Sequence, residues 1–97
     1  MIVERMVFSV KQGCMEEALE LMMSERARFG RGDRVRIYTA KIAPFGTLVQ
    51  EAEFENLAAI DEFWDAYWAD PETPAVMAKW SSLIEPGGVP TIWNLMA

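Results

Sequence analysis

The sequence predicts an α+β domain with the element order β-α-β-β-α-β, which is the ferredoxin-like arrangement. The first observation is a hairpin, because residues 34–42 and 47–54 are two β-rich runs around the turn Ala43-Pro44-Phe45-Gly46. The second is that a helical pattern and an apolar strand flank this hairpin on each side. In this arrangement the four-stranded antiparallel sheet has the order 4-1-3-2, and right-handed crossovers place both helices on one face.

The N-terminal half before the hairpin predicts a strand at residues 2–10 and a helix at residues 14–29. Lys11-Gln12-Gly13 separates the two elements, since glycine interrupts a strand. The helix shows apolar residues at spacings of three and four, which is typical of a helix with one buried face. Gly30 is expected just beyond its C-terminus, where the chain often needs a left-handed conformation.

After the hairpin, the sequence predicts a second helix at residues 57–70, with Asn56 as its N-cap. Pro71 ends this helix, and Thr73 is expected as the N-cap of a further helical segment. A last strand is predicted at residues 91–97. The side chains expected to point inward from the second helix are Leu57, Ile60, Trp64, Tyr67 and Trp68.

The register of the hairpin is predicted from its turn. If Ile42 lies opposite Thr47, Arg36 lies opposite Glu53 and Tyr38 lies opposite Glu51. These four polar side chains then share one face of the hairpin, because side chains alternate along a strand. The other face is apolar and consists of Val35, Ile37, Ala52 and Phe54.

Length and composition narrow the class of protein. The 97 residues predict one domain, residues 1–97, and 52% of them are apolar, which is rich for so small a chain. The net charge of −6 disfavours both nucleic acid and an anionic membrane surface as partners. A locally basic run lies at the end of the first helix, and it is interpreted as helix C-terminal charge and a solvated loop. Its members are Arg26, Arg28, Arg31, Arg34 and Arg36.

The absence of histidine removes many kinds of catalytic and metal site. Ser-His-Asp and Cys-His arrangements, histidine-ligated haem and the usual mononuclear zinc and iron sites all require this residue. General-base chemistry would fall to carboxylates, tyrosine or lysine. Because histidine is absent, we expect a protein without a metal or cofactor. Cys14 is the only cysteine, which fits a reducing compartment, and we therefore expect the protein to be cytoplasmic.

The sheet face opposite the helices is predicted to be covered by a second copy of the chain. The first and last strands are apolar on both faces, whereas a solvent-facing sheet normally alternates apolar and polar residues. No element remains to cover the second face. A homodimer with a two-fold interface is the simplest cover, and it would form a barrel-like assembly of eight strands.

The chain resembles the dimeric α+β barrel superfamily, and in particular proteins of the NIPSNAP kind and their antibiotic-biosynthesis-monooxygenase relatives. The resemblance extends over the whole chain and rests on six short segments: Lys11-Gln12-Gly13, residues 53–57, Phe63-Trp64, residues 69–72, Lys79-Trp80 and Glu85-Pro86-Gly87. It implies a homodimer with an internal pocket. Members of the superfamily include cofactor-free oxygenases, haem-degrading enzymes and isomerases, and the lack of histidine argues against the haem branch.

Two groups of residues are candidates for function. The polar face of the hairpin supplies Arg36, Tyr38, Glu51 and Glu53, as either a surface salt bridge with solvated neighbours or the wall of a polar pocket. The tryptophans Trp64, Trp68, Trp80 and Trp93 are either core and interface residues or the lining of a pocket for a flat organic molecule. Cofactor-free oxygenases of the superfamily hold an enolate with Asn, Trp and Tyr groups, and this resemblance adds Asn94.

Three functions follow from these residues. The preferred one is a small homodimeric protein with an aromatic-lined pocket for a small hydrophobic or aromatic ligand. The alternative is a cofactor-independent monooxygenase or isomerase acting on polyketide-like or lactone substrates, with Tyr38, Glu51 or Asn94 handling the proton. The third is a structural interaction module whose interior is filled by its own side chains.

Overall fold

The computed structural model describes all 97 residues and contains four strands and three helices. In chain order these are β1 Ile2–Ser9, α1 Met15–Arg28, β2 Val35–Thr39, β3 Thr47–Phe54, α2 Leu57–Ala69, α3 Thr73–Leu83 and β4 Thr91–Asn94. The strands form one antiparallel sheet in the order β2-β3-β1-β4. This is the predicted order 4-1-3-2 read from the other edge, so the predicted α+β, ferredoxin-like fold is confirmed.

The ends of the helices follow local chemistry. Gly30 lies just beyond α1 with φ +65°, and the Asn56 side chain accepts a hydrogen bond of 2.9 Å from the backbone N–H of Ala59. The predicted cap of α3 was off by one residue, because Glu72 occupies the N-cap position. The hydroxyl of Thr73 is instead buried and donates to the carbonyl oxygen of Tyr67 at 2.6 Å, which joins α2 to α3.

The hairpin register differs from the prediction by two residues. Arg36 lies opposite Glu51 and Tyr38 lies opposite Val49, since β2 ends at Thr39 and the connection spans residues 40–46. A shift of two residues keeps every side chain on its predicted face. The predicted contacts therefore form diagonally, from Arg36 to Glu53 at 3.3 Å and from Tyr38 to Glu51 at 3.1 Å.

All three helices pack against the same face of the sheet, which we call the helix face. One core cluster joins Ala18 and Met22 of α1 to Leu48 of β3 and Leu83 of α3. The other joins Ile60 of α2 to the sheet, through Val35, Ala52 and Phe54. The opposite side of the sheet carries no helix and is called the open face. None of the helices combines the length and the apolar character needed to cross a membrane.

Two predicted features of the packing need correction. Leu57 and Trp68, expected to point inward from α2, are 61% and 58% exposed, whereas Phe63 is half-buried against the core. The inward stripe of α2 is thus displaced toward Phe63. The last strand is shorter than predicted, because only Thr91–Asn94 pairs with β1, and all four of its residues are exposed in the single chain.

Candidate functional site

A cavity of about 240 Å³ lies between the helix face of the sheet and the three helices. Its lining is mainly apolar, and every helix contributes to it. The side chains that line it include Met6, Phe8, Leu21, Met22, Phe29, Ala52, Phe54, Phe63, Trp64, Tyr67, Trp68, Val76, Met77 and Trp80. The three helices form the walls and the sheet forms the floor, and the cavity is partly open to solvent, with Trp68 in its lining more than half exposed.

Aromatic rings from α2, together with Phe29 at the C-cap of α1, pack against one another along one wall. The rings of Phe63 and Trp64 meet edge to face with centroids 5.1 Å apart, and those of Phe29 and Tyr67 lie 5.0 Å apart in a tilted arrangement. Phe8 of β1 makes an edge-to-face contact with Trp80 of α3 at 5.0 Å. Such contacts hold each ring in a defined orientation, since edge-to-face pairs are favoured by the ring quadrupoles. The cavity wall is therefore an ordered aromatic surface.

Glu4 is a buried carboxylic acid on the floor of the cavity. Its position on β1 places it among inward-facing apolar side chains, and the residue is only 6% exposed. The indole Nε1–H of Trp64 donates to its carboxylate, with Nε1 3.0 Å from Oε1 and 3.2 Å from Oε2. Burial raises the pKa of Glu4 above its usual value, and the bond from Trp64 and the charge of Arg31 oppose that rise.

Arg31 brings a positive charge to the same cavity. Its guanidinium lies over the rings of Phe54 and Phe63, at 4.4 and 5.1 Å from their centroids, and it donates to the carbonyl oxygen of Glu53 at 2.6 Å. Its Nε–H is buried and has no hydrogen-bond partner. Desolvation lowers the pKa of Arg31. The loop after α1 is thus not simply solvated, which corrects the interpretation of the basic run.

A second polar network joins α1 to the junction between α2 and α3. Arg28 pairs with Glu25 on its own helix and donates to Asp70 at 2.8 Å. The hydroxyl of Tyr67 donates to Glu25 at 3.0 Å. Burial, reinforced by this bond, raises the pKa of Tyr67, so it is a neutral phenol at physiological pH. Glu25 and Tyr67 also line the cavity, and the network therefore fixes the position of one wall.

The open face carries a row of charged side chains rather than a cavity. Arg5 donates to Glu51 at 3.1 Å, and Tyr38 donates to the other oxygen of the same carboxylate. Arg36 and Glu53 form the neighbouring pair. Burial, together with the bond to Glu51, raises the pKa of Tyr38. This row lies on the opposite side of the sheet from the cavity. Within a single chain, one small molecule therefore cannot contact both the charged row and the cavity.

The residues predicted from the sequence fall into three places. Trp64, Trp68 and Trp80 line the cavity, although Trp68 is more than half exposed. The polar residues of the hairpin, Arg36, Tyr38, Glu51 and Glu53, lie together on the open face. Trp93 and Asn94 lie on the edge strand β4, far across the sheet from β2, with Trp93 on the open face and Asn94 on the helix face.

The sequence prediction missed two charged residues of the cavity, the buried Glu4 and the partly buried Arg31. The signal for Glu4 was present, because strand alternation puts it in one row with Ile2, Met6 and Phe8. No comparable signal exists for Arg31, since its burial depends on α2 packing over the loop after α1. The structure contains no cluster of three or more Asp, Glu or Cys side chains suited to a metal ion.

Solved structures share this fold, although the sequence matches no protein-family model and no curated protein. A NIPSNAP family protein from Agrobacterium tumefaciens is 21% identical, with a TM-score of 0.84 over 98% of this chain and 92% of that chain. An uncharacterised NIPSNAP domain protein from Burkholderia xenovorans is 16% identical, with a TM-score of 0.81 over 100% and 96% of the two chains. An antibiotic biosynthesis monooxygenase is 13% identical, with a TM-score of 0.73 over the whole of both chains.

The fold and the cavity define a small α+β domain with an aromatic-lined interior. The chain has the ferredoxin-like fold shared by NIPSNAP family proteins and antibiotic biosynthesis monooxygenases, as its resemblance to them implied. At these levels of identity the likeness establishes the fold, and function depends on the residues of this chain.

Proposed function

We propose that this protein binds a small, largely apolar organic molecule in the cavity beneath its helices. The observation that carries the proposal is the cavity itself, about 240 Å³ in volume, lined mainly by apolar side chains and containing the buried carboxylate of Glu4 and the partly buried guanidinium of Arg31. Ligand sites typically combine an apolar wall with a few polar groups that fix orientation. The volume is slightly below the range of about 300–1,000 Å³ found for drug-sized ligands, which favours a molecule of one or two rings.

An open interior also favours this function over an interaction module whose interior is filled by its own side chains. Protein cores normally leave few voids larger than a water molecule. A cavity of this size would accommodate several waters, yet its walls offer them few hydrogen-bonding groups. A ligand with an apolar body suits such a space better than water does.

The methionines allow a direct test by NMR. Met6, Met22 and Met77 line the cavity, whereas Met1 and Met96 lie outside it and are exposed. In protein labelled at the methionine methyl groups, naphthalene should shift the three cavity signals in a saturable way and leave the other two unchanged. Val76→Phe, which fills the cavity from α3, should weaken this binding.

The matched control is the same substitution at Val89, which is 79% exposed and lies outside the cavity. Val89→Phe should bind naphthalene as the unaltered protein does. Shifts of the exposed methionines alone, or equal binding by both variants, would contradict the proposed cavity site.

In this proposal the protein is a homodimer whose two subunits pair through the open faces of their sheets. Val7 and Trp93 are 43% and 58% exposed there, and the same face carries charged residues of both signs. A surface with paired charges of both signs can meet a copy of itself without net repulsion, as a two-fold interface requires. We place this dimer in the cytoplasm, with no nucleic-acid or membrane partner and no cofactor, on the grounds of its charge and residue content.

The alternative function is a cofactor-independent monooxygenase or isomerase acting on a polyketide-like or lactone substrate. Its support is the hydrogen bond between Tyr38 and Glu51 and the likeness of fold to an antibiotic biosynthesis monooxygenase. Against it, Asn94 lies at the opposite edge of the sheet and on the other face. Oxygen uptake with an anthrone, lost on Tyr38→Phe or Glu51→Gln, would favour this alternative over simple binding.

A further inference from the structure

We infer that the molecule bound in the cavity is an aromatic compound with a hydroxyl group, anchored through a hydrogen bond to Glu4. This inference rests on the proposed function and adds the chemical class of the ligand and the residue that selects it.

Glu4 has hydrogen-bonding capacity that the protein does not use. Its only side-chain partner is the indole Nε1–H of Trp64, a single donor shared between the two carboxylate oxygens. An ionised carboxylate can accept about four hydrogen bonds. Buried polar groups are normally well satisfied, because a lone pair without a donor in an apolar setting is unfavourable. A donor supplied by the ligand would remove this deficit.

Arg31 also lines the cavity, but its unpaired Nε–H is covered by protein atoms and does not face the cavity space. The group that a ligand can satisfy is therefore Glu4, and a hydroxyl group supplies the donor that this acceptor lacks. A methyl ether lacks the donor that Glu4 requires. A ligand carboxylate would also lack it, and would bring a second negative charge beside Glu4.

The walls specify the remainder of the ligand. Rings from β1, α2 and α3, among them Phe8, Trp64 and Trp80, present flat apolar surfaces around the space above Glu4. An aromatic ring matches these surfaces by stacking and edge contacts. The indole of Trp64 contributes twice, because its ring belongs to the wall and its N–H holds the Glu4 carboxylate in place.

A series of four naphthalene probes tests the inference on the unaltered protein. The probes are naphthalene, 2-naphthol, 2-methoxynaphthalene and 2-naphthoate, with affinities measured from the shifts of the cavity methionine signals. We expect 2-naphthol to bind about tenfold more tightly than naphthalene, as one hydrogen bond to a charged group implies. The ether should bind no more tightly than naphthalene, and the carboxylate should bind most weakly.

Variants at Glu4 connect the preference to this residue. Glu4→Leu should bind naphthalene and 2-naphthol equally, and Glu4→Gln, which keeps a neutral acceptor, should retain an intermediate preference. If neither variant folds, the four-probe comparison on the unaltered protein still tests whether Glu4 anchors a hydroxyl group.

Equal binding of naphthalene and 2-naphthol by the unaltered protein would overturn the Glu4 anchor and leave the cavity function standing. Tightest binding of 2-naphthoate would overturn it in favour of Arg31, and failure of all four probes would overturn the proposed function as well.

Discussion

At the scale of single residues, Glu4 is the most unusual group in the protein. It is a carboxylic acid that is 6% exposed, on a strand whose other inward-facing side chains are apolar. Proteins tolerate such a group when it is hydrogen-bonded, or when its pKa rises so that it becomes neutral. At Glu4 the indole of Trp64 donates to the carboxylate, and burial shifts the pKa upward.

The first prediction concerns the pH dependence of stability at Glu4. Because its pKa is higher in the folded protein than in the unfolded chain, the contribution of Glu4 to stability is full below its unfolded pKa of about 4.3. It is lost as the pH rises through the folded pKa. Glu4→Gln stays neutral, so the free energy of unfolding of the unaltered protein, relative to this variant, should fall between pH 4 and pH 7.

Urea unfolding of both proteins at equal chain concentration measures this difference, and the other carboxylates cancel between them. A relative stability that rises with pH would mean that the bond from Trp64 and the charge of Arg31 outweigh the burial of Glu4.

Gly46 supports a second prediction at this scale. It has φ +76°, and a Cβ at this position would lie 2.5 Å from the backbone oxygen of Val10. Gly46→Ala should therefore lower the free energy of unfolding by about 2 kcal/mol or more, from backbone strain and a steric clash. Gly32→Ala is the matched control, because Gly32 has open space around it and should change little. Equal losses in urea unfolding would contradict this account.

Single residues show most clearly how much of the site can be predicted from the sequence. The tryptophans of the cavity and the polar face of the hairpin follow from helical and strand periodicity, which determine the direction of a side chain. Periodicity does not determine how deeply a residue is covered. Trp68 therefore appears inward in the pattern but is mostly exposed, and Arg31 appears solvated in the pattern but is stacked on two phenylalanine rings.

At the scale of secondary-structure elements, the hairpin shows what sequence patterns leave open. The Pro-Gly turn and the alternation of Arg36 and Tyr38 with apolar residues were enough to predict two strands and their faces. The length of the connection was not predictable, because Ala40, Lys41 and Ile42 are compatible with strand or loop. The register was consequently wrong by two residues while each face remained correct.

Arg28 gives a prediction at the element scale. Its guanidinium bridges Glu25 of α1 and Asp70 at the end of α2, while the side chain packs 4.5 Å from the ring centroid of Phe29. Arg28→Met should lower the thermal midpoint, since it leaves Glu25 without its cation and releases the junction between α2 and α3 from α1. Thermal unfolding followed by circular dichroism measures the loss.

The control for Arg28 is Arg34→Met, which removes an exposed arginine that makes no ion pair. This variant should keep the thermal midpoint of the unaltered protein. If the two variants lose the same amount, the effect belongs to the general charge balance of the chain and not to the bridge between the helices.

At the scale of the whole molecule, the fold divides the chain into a covered and an uncovered side. Three helices enclose one face of the sheet, whereas the other face exposes Val7, Tyr38 and Trp93 around the Arg5–Glu51 pair. The element order that predicted the sheet also predicted this asymmetry, because both crossovers lie on the same side. What covers the open face is a property of the assembly, and it leads to the last prediction.

We expect the protein to have a solution mass twice that of its 11.0 kDa chain at micromolar concentration, measured by size exclusion with light scattering. Val7→Lys should convert it to a folded monomer, because a lysine at the centre of the open face would have to be buried without a partner. Met23→Lys is the matched control, since Met23 is equally exposed, at 45% against 43% for Val7, but lies on α1 away from that face. This variant should remain a dimer.

Because dimerisation stabilises only the folded chain, the thermal midpoint of the unaltered protein should also rise with its concentration, and that of Val7→Lys should not. A monomeric mass for the unaltered protein, or the same mass for both variants, would contradict pairing through the open faces while leaving the cavity and its ligand to be judged separately.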